Sequence, residues 1–139
     1  MNTFTKKTIT IETALNMART AMHKASEIGI LISVTILDES GVVKAFARMD
    51  GAPLISVDAS RKKAVTAVGL GLPSGQPWFD FIKDDPILRE GVGNFSDFML
   101  LGGGFPIVSE GQMVGSIGIS GGHYRQDEIC AQAALELLK

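Results

Sequence analysis

The residues that invite a chemical question lie between Leu101 and Glu128, in the stretch LGGGFPIVSEGQMVGSIGISGGHYRQDE. Glycine stands at Gly102, Gly103 and Gly104, again at Gly121 and Gly122, and three times more between them at Gly111, Gly115 and Gly118. Bare backbone lets N–H groups approach an anion closely, and Ser120-Gly121-Gly122 stands just ahead of a helical pattern whose N-terminus favours negative charge. The spacing is not that of a dinucleotide fingerprint, because the first cluster precedes a strand pattern. No Gly-Lys-Ser/Thr follows, so it is not a phosphate loop either. A second reading stands beside the first: the glycines make tight turns and admit a closely packed helix. The two are compatible.

Charged residues add to this picture. Arg48 ends a strand pattern, and its planar fork suits a carboxylate. Met49 and Asp50 follow it; the alternative for Arg48 is an ion pair with Asp50 or Asp58. Asp127 and Glu128 suit the first turn of a helix electrostatically, and a buried Asp50, Asp127 or Glu128 would have the raised pKa of a general base. His23 and His123 are the only histidines. His23 lies between Arg19 and Glu27, one turn away on each side, and reads either as an exposed partner of Glu27 or as a ligand; His123 reads as a cap of the last helix. Neither has a second ligand at zinc-site spacing. Cys130 falls on an apolar face and reads as buried, and Lys62 and Lys63 read as solvated, the alternative being that one of them points toward the pocket. Nucleophile elbows and triads are absent from the spacing.

These residues need elements to hold them. Ile11–Ile28 reads as a helix with Ile11, Leu15, Ala18, Met22 and Ala25 along one stripe, Thr10 as N-cap and Gly29 as C-terminal cap. Residues 30–37 and 42–48 form a predicted hairpin across Asp38–Gly41. Ser56 is the predicted cap of a helix over 57–68, with Val57, Ala64, Val65 and Val68 inward. Trp78, Phe79 and Phe81 suggest a short helix before Asp85-Pro86, with another turn over 87–90. Strands are predicted over 95–100, 105–108 and 112–120, with a tight turn at Glu110-Gly111, and a final helix over 126–138 with Ile129, Cys130, Ala133, Ala134 and Leu137 inward. The fold class is α+β, an antiparallel sheet of about five strands with helices packed on it, in a single domain over 1–139. In the last hairpin the start of one strand lies beside the end of its partner, so Gly102–Gly104 and Ser120–Gly122 are expected at one sheet end.

Length and composition set the outer bounds. The chain has 139 residues, 45% of them apolar, and a net charge of −2, which gives no basic footprint for nucleic acid. A single cysteine excludes an intramolecular disulfide. Neither a signal-peptide core nor a membrane-spanning run is visible, so the reading is a soluble cytoplasmic protein.

The runs AFARMDGAP (Ala45–Pro53), GGGFPI (Gly102–Ile107) and GSIGISGG followed by QDE (Gly115–Glu128) resemble the GlcG/HbpS family, which includes the C-terminal domain of PduO-type proteins. The likeness covers nearly the whole chain. It implies a profilin-like α/β fold with an antiparallel central sheet, a homo-oligomer built from dimers up to octamers, and haem binding in several members. In some PduO-type relatives a histidine on the first helix is an axial ligand, which implies His23 here.

Two functions are therefore expected. One is a ligand-binding oligomer, taking haem or another carboxylate-bearing metabolite at Arg48, Met49, Asp50, Gly102–Gly104, Ser120–Gly122 and Asp127, with His23 as axial ligand. The other is a small catabolic enzyme on a carboxylated metabolite, with Arg48 as anchor and Asp50 or Asp127 as acid/base.

Overall fold

The computed structural model describes residues 1–139. Helix α1 spans Ile11–Ile28, starting where the Thr10 hydroxyl accepts from the Thr13 N–H and ending at Gly29, whose φ of 80° closes the helix in the left-handed region. Strands β1 (Ser33–Asp38) and β2 (Val43–Arg48) form the first hairpin. Helix α2 spans Ile55–Leu70. Two short helices follow, α3 (Gln76–Ile82) and α4 (Pro86–Gly91), then a 3-10 turn over Val92–Asn94. The chain closes with β3 (Gly104–Ser109), β4 (Gln112–Ser120) and α5 (Tyr124–Leu135). Between β3 and β4, Glu110 and Gly111 both adopt positive φ, the geometry of a two-residue hairpin turn.

The sheet is antiparallel throughout, in the order β2-β1-β4-β3. It has four strands where about five were expected. Residues 95–100 form no strand: the Val92–Asn94 turn runs into a bend at Ser96-Asp97, and the Asp97 carbonyl and Met99 N–H bond to the Thr66 hydroxyl of α2 instead of to a neighbouring strand.

Alternation along the strands gives the sheet two unlike faces. Val34, Ile36, Ile117 and Ile119 are fully buried against α1 and α5, which contribute Ala14, Met17, Ala21, Ala25, Cys130 and Ala134. The apolar stripe of α1 is turned from the expected one: Ile11 and Leu15 are exposed, and Ala14, Met17 and Ala21 face the core with Ala18 and Ala25. On α5 likewise, Ile129 is exposed, and Asp127, Cys130, Ala131 and Ala134 point inward; Leu137, expected on the same face, lies beyond α5 in a 3-10 turn over Glu136–Leu138 and is exposed.

The other face carries Ser33, Thr35, Ser116, Gly118 and Ser120, and α2 lies on it. Ser56 is no cap. It sits inside α2, where its hydroxyl meets Ser33 Oγ at 2.8 Å; one turn on, Ser60 Oγ meets Thr35 Oγ1 at 2.8 Å. Ser116 Oγ donates to the Ala64 carbonyl at 2.7 Å. A Cβ at Gly118 would fall well inside 3.0 Å of the Ser60 carbonyl, so glycine is what lets α2 lie this close. Val57, Val65 and Val68, expected inward, are not among the buried residues of α2; those are Ser56, Ala59, Ser60, Lys63, Ala64, Thr66 and Ala67.

A second, smaller core forms around Trp78, Ile82 and Val92 beneath the α3–α4 segment, with Phe98 against Trp78 at 5.2 Å, edge to face. Of the aromatics in this part of the sequence, Trp78 and Phe98 pack here, and Phe79, Phe81 and Phe95 are exposed.

Candidate functional site

The glycine bends lie at one end of the sheet. Gly104 is opposite Gly118 in the register, and the Ile119 N–H donates to the Gly103 carbonyl at 2.9 Å. The space between them is filled by the protein's own side chains. Lys63 reaches in from α2, and its ammonium donates to the Ile119 carbonyl and to Asp127 Oδ2, both at 2.9 Å. The other carboxylate oxygen of Asp127 accepts from the Gly122 N–H at 3.0 Å. Both side chains are sealed from solvent, 2% exposed for Lys63 and 1% for Asp127. The Gly104 N–H donates to Ser74 Oγ at 2.8 Å. Built Cβ atoms show why the positions are glycine: at Gly102 the atom would collide with the Glu128 carboxylate, and at Gly104 with the Lys63 carbonyl.

The open bare-backbone hollow expected here is therefore corrected. The amides of Gly104 and Gly122 bond within the chain, and glycine serves the close approach of Lys63, Asp127 and Glu128. Burial holds the Asp127 carboxyl above its ordinary range against the pull of Lys63, and burial pushes the Lys63 ammonium down against the pull of Asp127. The pair is closed, with each charge satisfied by the other and by backbone, so Asp127 meets no solvent-borne substrate.

Lys63 is the residue that sequence reading placed wrongly, as a solvated lysine. A signal was available: Ser56, Ser60, Lys63, Ala64 and Ala67 recur at steps of three and four, so Lys63 stands in the stripe of small residues and not on the charged face.

Arg48 stands apart from the glycine bends. It is opposite Ser33 in the register, and Ser33 is opposite Ser120. Arg48 thus lies about 10 Å across the sheet from Ser120, on the β2 edge, and Gly104 lies on the β3 edge. The Arg48 side chain is exposed and makes no ion pair; Asp58, its suggested partner, is held by Arg61 at 2.9 Å and Lys62 at 3.3 Å. Arg61 in turn holds Asp97 at 3.0 Å, and both carboxyls lie below their usual range through these bonds. Met49 turns inward, and its sulfur accepts from the Ile32 N–H at 3.4 Å. Asp50 is exposed in the turn after β2.

The two histidines differ sharply. His123 is the N-cap of α5: its Nδ1 accepts from the Arg125 N–H at 3.2 Å, and the Gln126 side chain returns the bond to the His123 N–H. With Nδ1 an acceptor, the neutral ring carries its proton on Nε2, so no nitrogen is left to bind a metal. His23 projects from the exposed side of α1 with 77% of its side chain in solvent, and Nε2 lies 3.2 Å from Glu27 Oε1. No cluster of three or more His, Cys, Asp or Glu side chains suits a metal ion. Cys130 is buried at the centre of the α5 face, and burial pushes its thiol up to about 11.

Two clefts open beside these features. One, of about 450 Å³, runs between α2 and the 95–98 segment along Leu70, Trp78, Phe95 and Phe98. The other, of about 290 Å³, lies outside the packed glycine bends between α3 and the first turns of α5. No helix is long and apolar enough to cross a membrane.

The fold and residue pattern define a class. Residues 9–136 match the family model described as haem degrading protein HbpS-like, and the chain belongs to that family. Among solved structures, it superposes with a TM-score of 0.90 on the Klebsiella pneumoniae protein ORFY, at 29% identity over 99% of this chain and 95% of that one. With the haem complex of PduOC the TM-score is 0.86, at 27% identity over 93% of this chain and 94% of that one. A 15.0 kDa Citrobacter freundii protein from the dhaT-dhaS intergenic region is 31% identical, over 93% of this chain and 91% of its own length.

Proposed function

We propose that this protein binds haem, or a planar carboxylate-bearing ligand like it, on the exposed side of α1, with His23 as axial ligand. The observation that carries the reading is the state of that imidazole. It is accessible, and its Nε2 is set on a carboxylate, which leaves Nδ1 as the free nitrogen. A carboxylate behind a histidine fixes the tautomer and raises the basicity of the ligating nitrogen. Ile11, Leu15, Arg19 and His23 follow one another at steps of four, so one drifting stripe offers two exposed apolar side chains, then a cation, then the imidazole. That order suits a flat apolar ring with acidic substituents. Haem held there would supply a redox-active iron whose potential the axial ligand sets. The haem complex of PduOC, a chain of the same fold, supports the choice of ligand.

Arg48 enters this reading through assembly. Ser33 shares its face of the sheet with α2, and Arg48 pairs with Ser33, so Arg48 lies on the face opposite α1. It reaches a ligand at His23 only from a second copy, as a dimer-based homo-oligomer provides.

Titration of the purified protein with haemin, followed at the Soret band, tests the proposal. A saturable red-shifted band is expected, and His23→Ala should abolish the shift while leaving the circular dichroism unchanged. An identical titration in His23→Ala, or no saturable shift in the parent protein, overturns it.

A further inference from the structure

The cleft of about 290 Å³ beside the glycine bends has two charged side chains that nothing in the protein pairs. Its lining includes Gln76, Phe79, Gly102, Tyr124, Arg125 and Glu128. The Glu128 carboxylate rests over the bare backbone of Gly75 and Gly102 and accepts no hydrogen bond there; a Cβ on either glycine would meet its Oε2. The buried ammonium beneath, Lys63, is already matched by Asp127 at 2.9 Å, so the charge of Glu128 is left on the cleft wall. Arg125 lies one turn away on the same helix. Its guanidinium is placed over the Tyr124 ring, 5.4 Å from the centroid, and holds no carboxylate. Phe79, Leu100 and Leu101 supply the apolar part of the wall, beside the polar Gln76 and Tyr124.

We propose that this cleft is a second ligand site, for a small zwitterion with an apolar body: a cationic nitrogen on Glu128, a carboxylate on Arg125, and the hydrocarbon part against Phe79 and the leucines. Neither group has a salt-bridge partner to give up, so the cost on the protein side is desolvation and the ordering of the Arg125 side chain. The volume is at the small end for ligand pockets, which fits a single amino-acid-sized molecule and excludes a tetrapyrrole. The glycines at 75 and 102 acquire a role here: a Cβ at Gly102 would overlap the Glu128 carboxylate, and one at Gly75 would press on the Gly102 backbone beneath it. The site is independent of His23 and stands or falls separately from haem binding.

The probe is L-leucine, with isocaproate and isoamylamine as analogues that keep one charge each, followed by amide-resolved NMR titration of the full chain. Saturable shifts at Gly102, Tyr124 and Arg125 are expected with L-leucine, at least tenfold weaker with either analogue. Glu128→Gln and Arg125→Ala should each weaken L-leucine binding about tenfold, the loss of one charge-assisted bond, with unchanged thermal unfolding. Three results overturn the proposal: no shift at these amides, equal affinity for a single-charge analogue, or equal binding by both variants.

Discussion

The two faces of the sheet are built from alternate residues of the same strands and solve packing in opposite ways. Toward α1 and α5 the strands send Val34, Ile36, Ile117 and Ile119, and the helices answer with alanine, methionine and the buried Cys130. Toward α2 they send serine, threonine and glycine, and the helix answers with Ser56, Ser60, Ala64 and the Lys63 ammonium. The first face gains its stability from apolar area, and a polar atom placed there without a hydrogen-bond partner is costly. The second has little branched hydrocarbon. It relies on very close approach, in which the hydroxyls of Ser33, Thr35, Ser56, Ser60 and Ser116 have partners and no buried side-chain N or O is left unbonded. A shape-based face is sensitive to a single added carbon, and an area-based face to lost carbons.

The largest expected effect follows from breaking the closed ion pair. Lys63→Met leaves the Asp127 charge buried alone and should cost about 3–5 kcal/mol in urea unfolding, and adding Asp127→Leu should recover most of that loss. The pH dependence has a definite sign. Without Lys63 the Asp127 carboxyl rises further above its unfolded value of about 3.9, so the native state holds the proton more tightly than the unfolded state. Stability of the variant then falls as pH rises through that window, and the penalty of Lys63→Met should be smaller at pH 5 than at pH 7. Equal penalties at both would show that the charge is not what Lys63 balances.

Next in size is Gly118→Ala. The added methyl meets backbone, not a flexible side chain, so α2 must move off the sheet at about 3 kcal/mol or more. A loss under about 1 kcal/mol would mean the α2 face is looser than its geometry. The smallest effect sharpens the contrast. Ser60→Ala should cost about 1 kcal/mol because it strands the Thr35 hydroxyl, and the double change Thr35→Val with Ser60→Ala should be closer to neutral, since both polar groups leave together. Additive losses would mean that the hydroxyl pair carries no coupling.

Much of the fold was legible before any coordinates. The caps of α1, the β1–β2 and β3–β4 hairpins, the Glu110-Gly111 turn and the antiparallel α+β class follow from local patterns, and so did the likeness to the HbpS-like family. The 95–100 segment misled because its aromatics fit a strand as well as they fit a cap over Trp78. The α2 face misled because hydroxyls and glycine carry no hydrophobic period.

What the sequence by itself determined is the order of elements outside the 95–100 segment, the location of both glycine bends at one sheet end, and the capping role of His123, because these depend on residues near one another in the chain. Only the tertiary structure decided which side chains fill the space between the bends. Lys63 and Asp127 are 64 residues apart, and no local preference of either one records that the other will be there. The same holds for Arg48, whose distance from the bends is set by strand order. A close approach between distant segments is a property of packing, and glycine announces only that something comes near, not what.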